Sequence, residues 1–301
     1  DGRLYTLGFD EERGVDRVWC LDAATGKELW RHEFKADKMA KFHGGGTLTT
    51  PSVDGDRVFV LNREARFLCL KAADGAVVWE RDLKKELTLE SPTWGFSASP
   101  LVLEDMLVLN VGKVLALDKR TGKEKWRSGD YGHAYSTPVD FEWDGIPALA
   151  VFNGAGLAVL DVEDGTELAS YEWKTKYDVN AATPVIVDGK VLLSSGYGHG
   201  AGLIEATPEG DARAVWENKN MATQMSGCVA IDRHFYGFDE AVLKCIDMNG
   251  EEQWSQRGLG KGALLGAGGR LIVLSSKGEL IVANASPKGF EELSRTKVLD
   301  G

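Results

Sequence analysis

One nine-residue phrase constrains this chain more than any other feature. Its cleanest copies are Asp22-Ala-Ala-Thr25-Gly26-Lys27-Glu28-Leu29-Trp30 and Asp118-Lys-Arg-Thr121-Gly122-Lys123-Glu124-Lys125-Trp126, with a variant at Lys71-Ala-Ala-Asp74-Gly75-Ala-Val-Val-Trp79. Aligned on the turn glycine, the series continues through Gly165, Gly210, Gly250 and a weaker Gly289, in steps of 49, 47, 43, 45, 40 and 39 residues. A supersecondary unit that recurs at such a period cannot bury its own apolar face and must stack on copies of itself.

Each repeat reads as four short strands. An inner strand opens at Ser/Thr-Pro, as at Thr50-Pro51, Ser99-Pro100, Thr137-Pro138 and Thr183-Pro184, with Ser226-Gly227 as a degenerate copy. Proline is tolerated there because the first residue of a strand need not donate to the ladder. A second strand follows turns such as Asp54-Gly55, Asp188-Gly189 and Gly268-Gly269, a third ends in Leu-Asp, and the outer one carries Trp. The pattern predicts an all-β propeller of four-stranded antiparallel blades, with seven repeats visible, as a single domain over residues 1–301. Asp1-Gly2-Arg3 matches the second-strand turns, so the first blade is expected to lack its inner strand. Glu291 to Gly301 reads as an outer strand, after which another inner strand is expected, so the last blade or its closing strands are expected to be truncated. Either an eighth unit straddles the termini of an eight-bladed ring, or seven blades close imperfectly.

Trp30, Trp79, Trp126 and Trp254 stand four residues after the turn glycine, and Trp216 stands six after Gly210. One large flat side chain per blade fills the wedge between sheets, and burying it involves about 150–250 Å². These tryptophans, with the turn glycines Gly26, Gly75 and Gly122, are read as structural. The fourth repeat places Ala169 in the slot, with Tyr171 and Trp173 just beyond, which predicts a locally shifted outer strand. Cys20, Cys69 and Cys245 share one slot, filled elsewhere by Ala116 and Val159. That marks a small core position, so the thiols are expected to be free and buried.

A formal net charge of −11 leaves no basic stripe to neutralise phosphates, which argues against nucleic acid and anionic membrane surfaces as partners. No apolar run approaches the roughly 20 residues of a transmembrane helix. The first residues carry no charged and apolar leader pattern, so localisation is not read from them.

The Asp-x-x-Thr-Gly-Lys-x-x-Trp phrase resembles the docking repeat of pyrroloquinoline-quinone-type (PQQ-like) propellers. That family includes quinoprotein dehydrogenases and the propeller lipoprotein of the outer-membrane barrel-assembly machinery. Pro92-Thr-Trp94-Gly-Phe96, Tyr177-Asp178-Val-Asn180-Ala-Ala and Trp216-Glu-Asn218-Lys-Asn220-Met further resemble a group of exported bacterial proteins with eight such repeats. The resemblance covers nearly the whole chain and specifies fold rather than activity. It implies an extracytoplasmic location.

In a propeller the loops entering the inner strands crowd one mouth of a central channel. Here they carry His43, Trp94, Phe96, His133 and Tyr135, then Asp178, Asn180, Asn220 and Lys261. Aromatics with a few fixed polar groups at a concave mouth suit a small molecule or a peptide. The alternative is that Tyr135, Asp178, Asn180 and Asn220 satisfy loop backbone. The resemblance to quinoprotein enzymes implies adjacent cysteines and a calcium set of Glu, Asn and Asp with a catalytic Asp. No two cysteines are adjacent here, and Asp178 with Asn180 falls short of the roughly six to eight oxygens calcium takes. Pyrroloquinoline quinone and calcium are therefore not expected, and no metal site or catalytic residue is assigned. Gly196-Tyr-Gly198-His199-Gly200 has no helix after it to bind phosphate and is read as a bulged hairpin. The reading is a non-catalytic scaffold for a protein or peptide partner, with a small-molecule or quinone-binding propeller as the alternative.

Overall fold

The structure, a computed structural model, describes residues 2–39, 44–133 and 135–300. Among these residues the strands form seven sheets in which each strand pairs antiparallel with its sequence neighbour. The chain divides into two compact units, Asp1–Thr137 and Pro138–Gly301, where the repeat alone predicts one domain. Blades 1 (3–35), 2 (52–82) and 3 (101–130) belong to the first unit. Blades 4 (139–172), 5 (185–218), 6 (229–256) and 7 (263–297) belong to the second.

Blade 1 has three strands among the described residues, the first of them Arg3–Asp10. Blade 7 is complete among the described residues, and its outer strand begins at Glu291, where the repeat places one. It holds four strands, from Ala263–Ala267 inside to Glu291–Lys297 outside.

Middle strands are buried on both faces by neighbouring blades, so they read as apolar runs rather than as alternation. In blade 2, Val58 to Leu61 and Phe67 to Leu70 are fully buried. Phe59 and Phe67 pack with Leu107 and Leu115 of blade 3 in one cluster, as Phe152 and Val159 of blade 4 pack with Val191 and Ile204 of blade 5 in another.

The third strand and the outer strand meet in one register in every blade. Cys20 faces Trp30, Cys69 faces Trp79, Ala116 faces Trp126, Leu203 faces Trp216 and Cys245 faces Trp254, and a β-bulge follows each pair. The bulge carries the outer strand out of a turn held by its own side chains. Asp22 Oδ1 accepts from the Thr25 N–H at 2.8 Å and the Thr25 hydroxyl at 2.7 Å, and Asp118 does the same with Thr121. The turn glycine has positive φ, +74° at Gly75 and +69° at Gly122.

That glycine is also the seat of the preceding blade's indole. A Cβ on Gly75 would lie 2.6 Å from the Trp30 ring, and one on Gly122 would lie 2.8 Å from Trp79. The indole N–H then reaches the turn backbone. Trp30 Nε1 donates to the Ala72 carbonyl at 3.0 Å, Trp216 Nε1 to Met248 at 2.8 Å and Trp254 Nε1 to Ser286 at 2.7 Å.

Blade 4 departs from the expectation of a shifted outer strand. Val159 faces Ala169 in the common register, and the usual bulge follows. The missing indole is replaced from elsewhere in the blade. Trp143 on the inner strand is 1% exposed and donates Nε1 to the Gly210 carbonyl at 3.0 Å. The hairpin at residues 196–199 is likewise regular, since Ser195 pairs with Gly200 and no register shift precedes it.

All four cysteines are buried and free. Burial pushes the Cys69 and Cys228 thiols up to about 12 and the Cys245 thiol up to about 11, so they stay protonated and unreactive.

Candidate functional site

In the first unit, the loops that enter the inner strands bring three of the expected residues together. Trp94 is half-buried with its ring edge-on to Tyr135 at 5.8 Å between centroids. His133 is exposed, its ring 6.2 Å from that of Tyr135. Tyr135 is 6% exposed, and its hydroxyl lies near the Thr93 and Trp94 backbone without a hydrogen bond of ordinary geometry. Burial pushes this phenol up to about 12, so it is neutral near pH 7. Phe96, 1% exposed, belongs to the core between blades 2 and 3. His43 lies outside the described residues.

The Ser/Thr of Ser/Thr-Pro has a task that proline alone did not suggest. Ser99 Oγ accepts from the Thr50 N–H at 2.9 Å, and Thr137 Oγ1 accepts from the Ser99 N–H at 3.0 Å. In these two repeats the hydroxyl thus holds the backbone at the preceding Ser/Thr-Pro.

A buried ion pair beneath these loops was missed by the sequence reading. Arg63 and Asp16 are both fully buried and meet at 2.6 Å. Arg63 Nε donates to the Asp37 carbonyl at 2.8 Å, and its guanidinium stacks 4.5 Å above the Phe9 ring. The Arg63 carbonyl in turn accepts from the Phe96 N–H at 3.0 Å. The loop from Asn62 to Arg66 is the available signal, because it replaces the short turn found at this place in blade 3.

In the second unit, Asp178 is exposed on a turn tip with φ of +53°. Asn180 is fully buried and its amide is engaged at both ends. Nδ2 donates to the Asn153 carbonyl at 2.7 Å and the Trp173 carbonyl at 3.0 Å, while Oδ1 accepts from Ser195 Oγ at 2.8 Å. Ser195 Oγ also accepts from Trp173 Nε1 at 3.0 Å. Asn220 Nδ2 donates to the Gly250 carbonyl at 2.8 Å, which fastens blade 5 to the blade 6 turn. Asn180 and Asn220 thus have no partner in common.

The same unit also presents exposed aromatic side chains. Tyr177 and Tyr197 are 51% and 43% exposed and meet edge-on at 5.2 Å. Behind them, the His199 ring lies 4.4 Å from that of Trp173, and burial lowers its pKa. A cleft of about 380 Å³ lies at the Lys261 loop, with Met225, Phe238 and Leu274 as its apolar lining. Lys261 Nζ reaches Gln224 Oε1 at 2.7 Å and Glu240 Oε2 at 2.5 Å on the rim, so its charge is compensated. Met225 is 74% exposed. A Cβ on Gly196 would fall 2.9 Å from Gln224 Cβ, so the Tyr197 hairpin abuts the cleft rim.

The Asn180 oxygen is already bonded in the core, Asp178 stands on an exposed tip, and the cysteines are isolated. Among the described residues, no three His, Cys, Asp or Glu side chains gather as a metal set. Nor is any helix long and apolar enough to cross a membrane.

Comparison with known proteins agrees with this architecture. The chain is 28% identical over 151 residues to outer membrane protein assembly factor BamB of Burkholderia pseudomallei, covering 48% of this chain and 34% of that protein. It is also 28% identical over 152 residues to quinohemoprotein alcohol dehydrogenase ADH IIB of Pseudomonas putida, covering 46% of this chain and 21% of that enzyme. The matched stretches therefore span about a third and a fifth of these curated relatives. The crystal structure of BamB from Moraxella catarrhalis superposes with a TM-score of 0.65 over 97% of this chain and 82% of that one, at 16% identity, a likeness of fold alone. Residues 15–256 match the family model PQQ_2, described as outer membrane protein assembly factor BamB. The chain is a propeller of PQQ-like repeats and belongs to that family.

Proposed function

We propose that this chain is a non-catalytic propeller scaffold, acting outside the cytoplasm, that binds an extended stretch of a protein or peptide partner. The observation that carries this reading is the exposed Tyr177–Tyr197 pair, joined through Gly196 and Gln224 to the cleft beside Met225. Aromatic and methionine side chains concentrate at the centres of protein interfaces, where they supply much of the binding energy. Gln224, Ser226 and the Lys261–Glu240 pair at the rim offer hydrogen bonds to a peptide backbone without a net charge to satisfy. The family description, which names an outer membrane protein assembly factor, supports both the partner class and the location.

The cleft volume also lies within the range of roughly 300–1,000 Å³ used by small-molecule sites, which favours a small molecule as the second reading. A photo-crosslinking side chain at Tyr197 or Met225, compared with one at the turn residue Lys123, separates the readings. Protein adducts from the first two positions alone are expected, and Met225 adducts lost in a Tyr177→Ala, Tyr197→Ala double variant would favour a contact on the aromatic pair. Equal or absent adducts at all positions would overturn it. Calorimetry with pyrroloquinoline quinone and calcium is expected to show no heat of binding, and saturable heat would favour the quinone reading instead.

A further inference from the structure

The fourth cysteine stands apart from the slot that the other three share. Cys20, Cys69 and Cys245 are fully buried opposite the blade tryptophans, whereas Cys228 immediately precedes the inner strand of blade 6 and is 9% exposed. Its sulfur also has a neighbour of its own kind. A Cβ on Gly237, in the adjoining strand His234–Asp239, would fall 2.7 Å from Cys228 Sγ and 3.1 Å from Met221 Sδ. The glycine leaves that place to two sulfurs. An ion with metal–sulfur distances of about 2.3 Å reaches both with small rotations of the flexible thioether.

A third group is turned toward the same spot. Thr223 is fully buried, its Cγ2 lies 3.2 Å from the Gly237 Cβ position, and its hydroxyl faces the Cys228 thiol without a hydrogen bond of ordinary geometry. A hydroxyl so deeply buried normally has a partner.

The surroundings select the kind of ion. Leu192, Leu203, Phe235 and Ile246 pack with Met221 and Cys228 in one apolar cluster. Among the described residues Cys228 joins no group of three His, Cys, Asp or Glu, so hard oxygen and imidazole donors do not gather on it. A divalent ion on a single thiolate would leave a net positive charge in this packing, which a low dielectric disfavours. A monovalent ion leaves none, and thiolate with thioether is the donor set that selects Cu(I). Gln224, Met225 and Ser226, the chain between Thr223 and Cys228, line the cleft at the Lys261 loop and give such an ion a route from solvent.

We propose that Cys228 and Met221 form a site for one soft monovalent cation, Cu(I) or Ag(I), with the Thr223 hydroxyl as a weak third donor. The ion replaces the thiol proton, which leaves to solvent, and the thioether contributes a lone pair. The metal enters and stays as the monovalent ion, so no electron moves.

Anaerobic competition with bicinchoninate for Cu(I) tests the site. The chain is expected to withdraw one Cu(I), and X-ray absorption of the complex to show two sulfur neighbours. Cys228→Ser should abolish the withdrawal, and Met221→Leu, which conserves volume, should weaken it roughly tenfold or more. Met225→Leu and Cys245→Ala should leave it unchanged, with melting midpoints showing that each variant is folded. If Cys228→Ser folds poorly, Met221→Leu against Met225→Leu decides the matter, since both exchange one thioether for the same hydrocarbon. No withdrawal by the unaltered chain, full affinity in Met221→Leu, or a loss confined to Met225→Leu would each overturn the proposal.

Discussion

Loops are used in opposite ways in the two units. In blades 1 and 2, a polar loop is turned inward. Arg63 and Asp16 are fully buried, and the arginine is spent on Asp37 and Phe9. In blades 4 and 5 the polar group, Asn180, is also turned inward, but it frees the residues around it to face out. Tyr177, Tyr197 and Met225 stand exposed above a frame that Asn180, Trp173 and Ser195 hold rigid. The difference teaches that a repeat's loops can brace the fold or offer a surface, and that the choice is made by the unrepeated residues.

Removing the brace in the first unit has the largest expected effect. Arg63→Ala leaves the Asp16 carboxylate buried without its partner, and breaking such a pair costs about 3–5 kcal/mol. Urea unfolding of the variant should show that loss in its midpoint. Replacing both partners, Asp16→Leu with Arg63→Met, should cost far less, because no uncompensated charge remains. If the single and double variants lose equally, the pair is not what holds these loops.

The second unit should respond more mildly. Asn180→Ala removes the donor to the Asn153 and Trp173 carbonyls and the acceptor of the Ser195 hydroxyl, an expected loss of about 2–3 kcal/mol. A variant that unfolds at the wild-type midpoint would return Asn180 to the role of a ligand group and weaken the contrast between the two units.

How much of this was legible follows from the range of each interaction. The turn and its tryptophan lie within nine residues, so Asp118, Thr121, Gly122 and Trp126 declare their geometry in the sequence. The seat of each indole was legible only as a wedge between sheets, because the glycine beneath Trp30 lies in the next repeat. Trp143 was not legible as the stand-in for the missing indole of blade 4, since it comes from an inner strand and meets Gly210 only in the folded unit. Asp16 and Arg63 carry no motif, and 47 residues separate them. The loop residues could be listed from the repeat spacing, but whether a polar side chain faces a ligand or a carbonyl depends on contacts no spacing encodes. Asn180 and exposed Asp178 are two residues apart and have opposite fates.

The smallest expected effect lies in the turns. Hydrogen bonds from the Thr121 hydroxyl and then its N–H hold the Asp118 carboxyl below the usual carboxylate range, and Thr25 does the same for Asp22. A carboxyl depressed in the folded state adds stability above its unfolded pKa of about 3.9 and loses it as pH falls through the lower folded value. Thr121→Ala removes the largest cause, so Asp118 should titrate closer to the ordinary value. The gap in urea midpoint between wild type and variant should be widest near neutrality and narrow on acidification below about pH 4. Because the carboxylate is exposed, solvent screens most of the effect, and a carbon-detected titration of Asp118 reads it more directly than unfolding does. An unchanged Asp118 titration in Thr121→Ala would mean that backbone geometry alone sets the turn. The threonine of the repeated phrase would then be there for its shape and not for its hydroxyl.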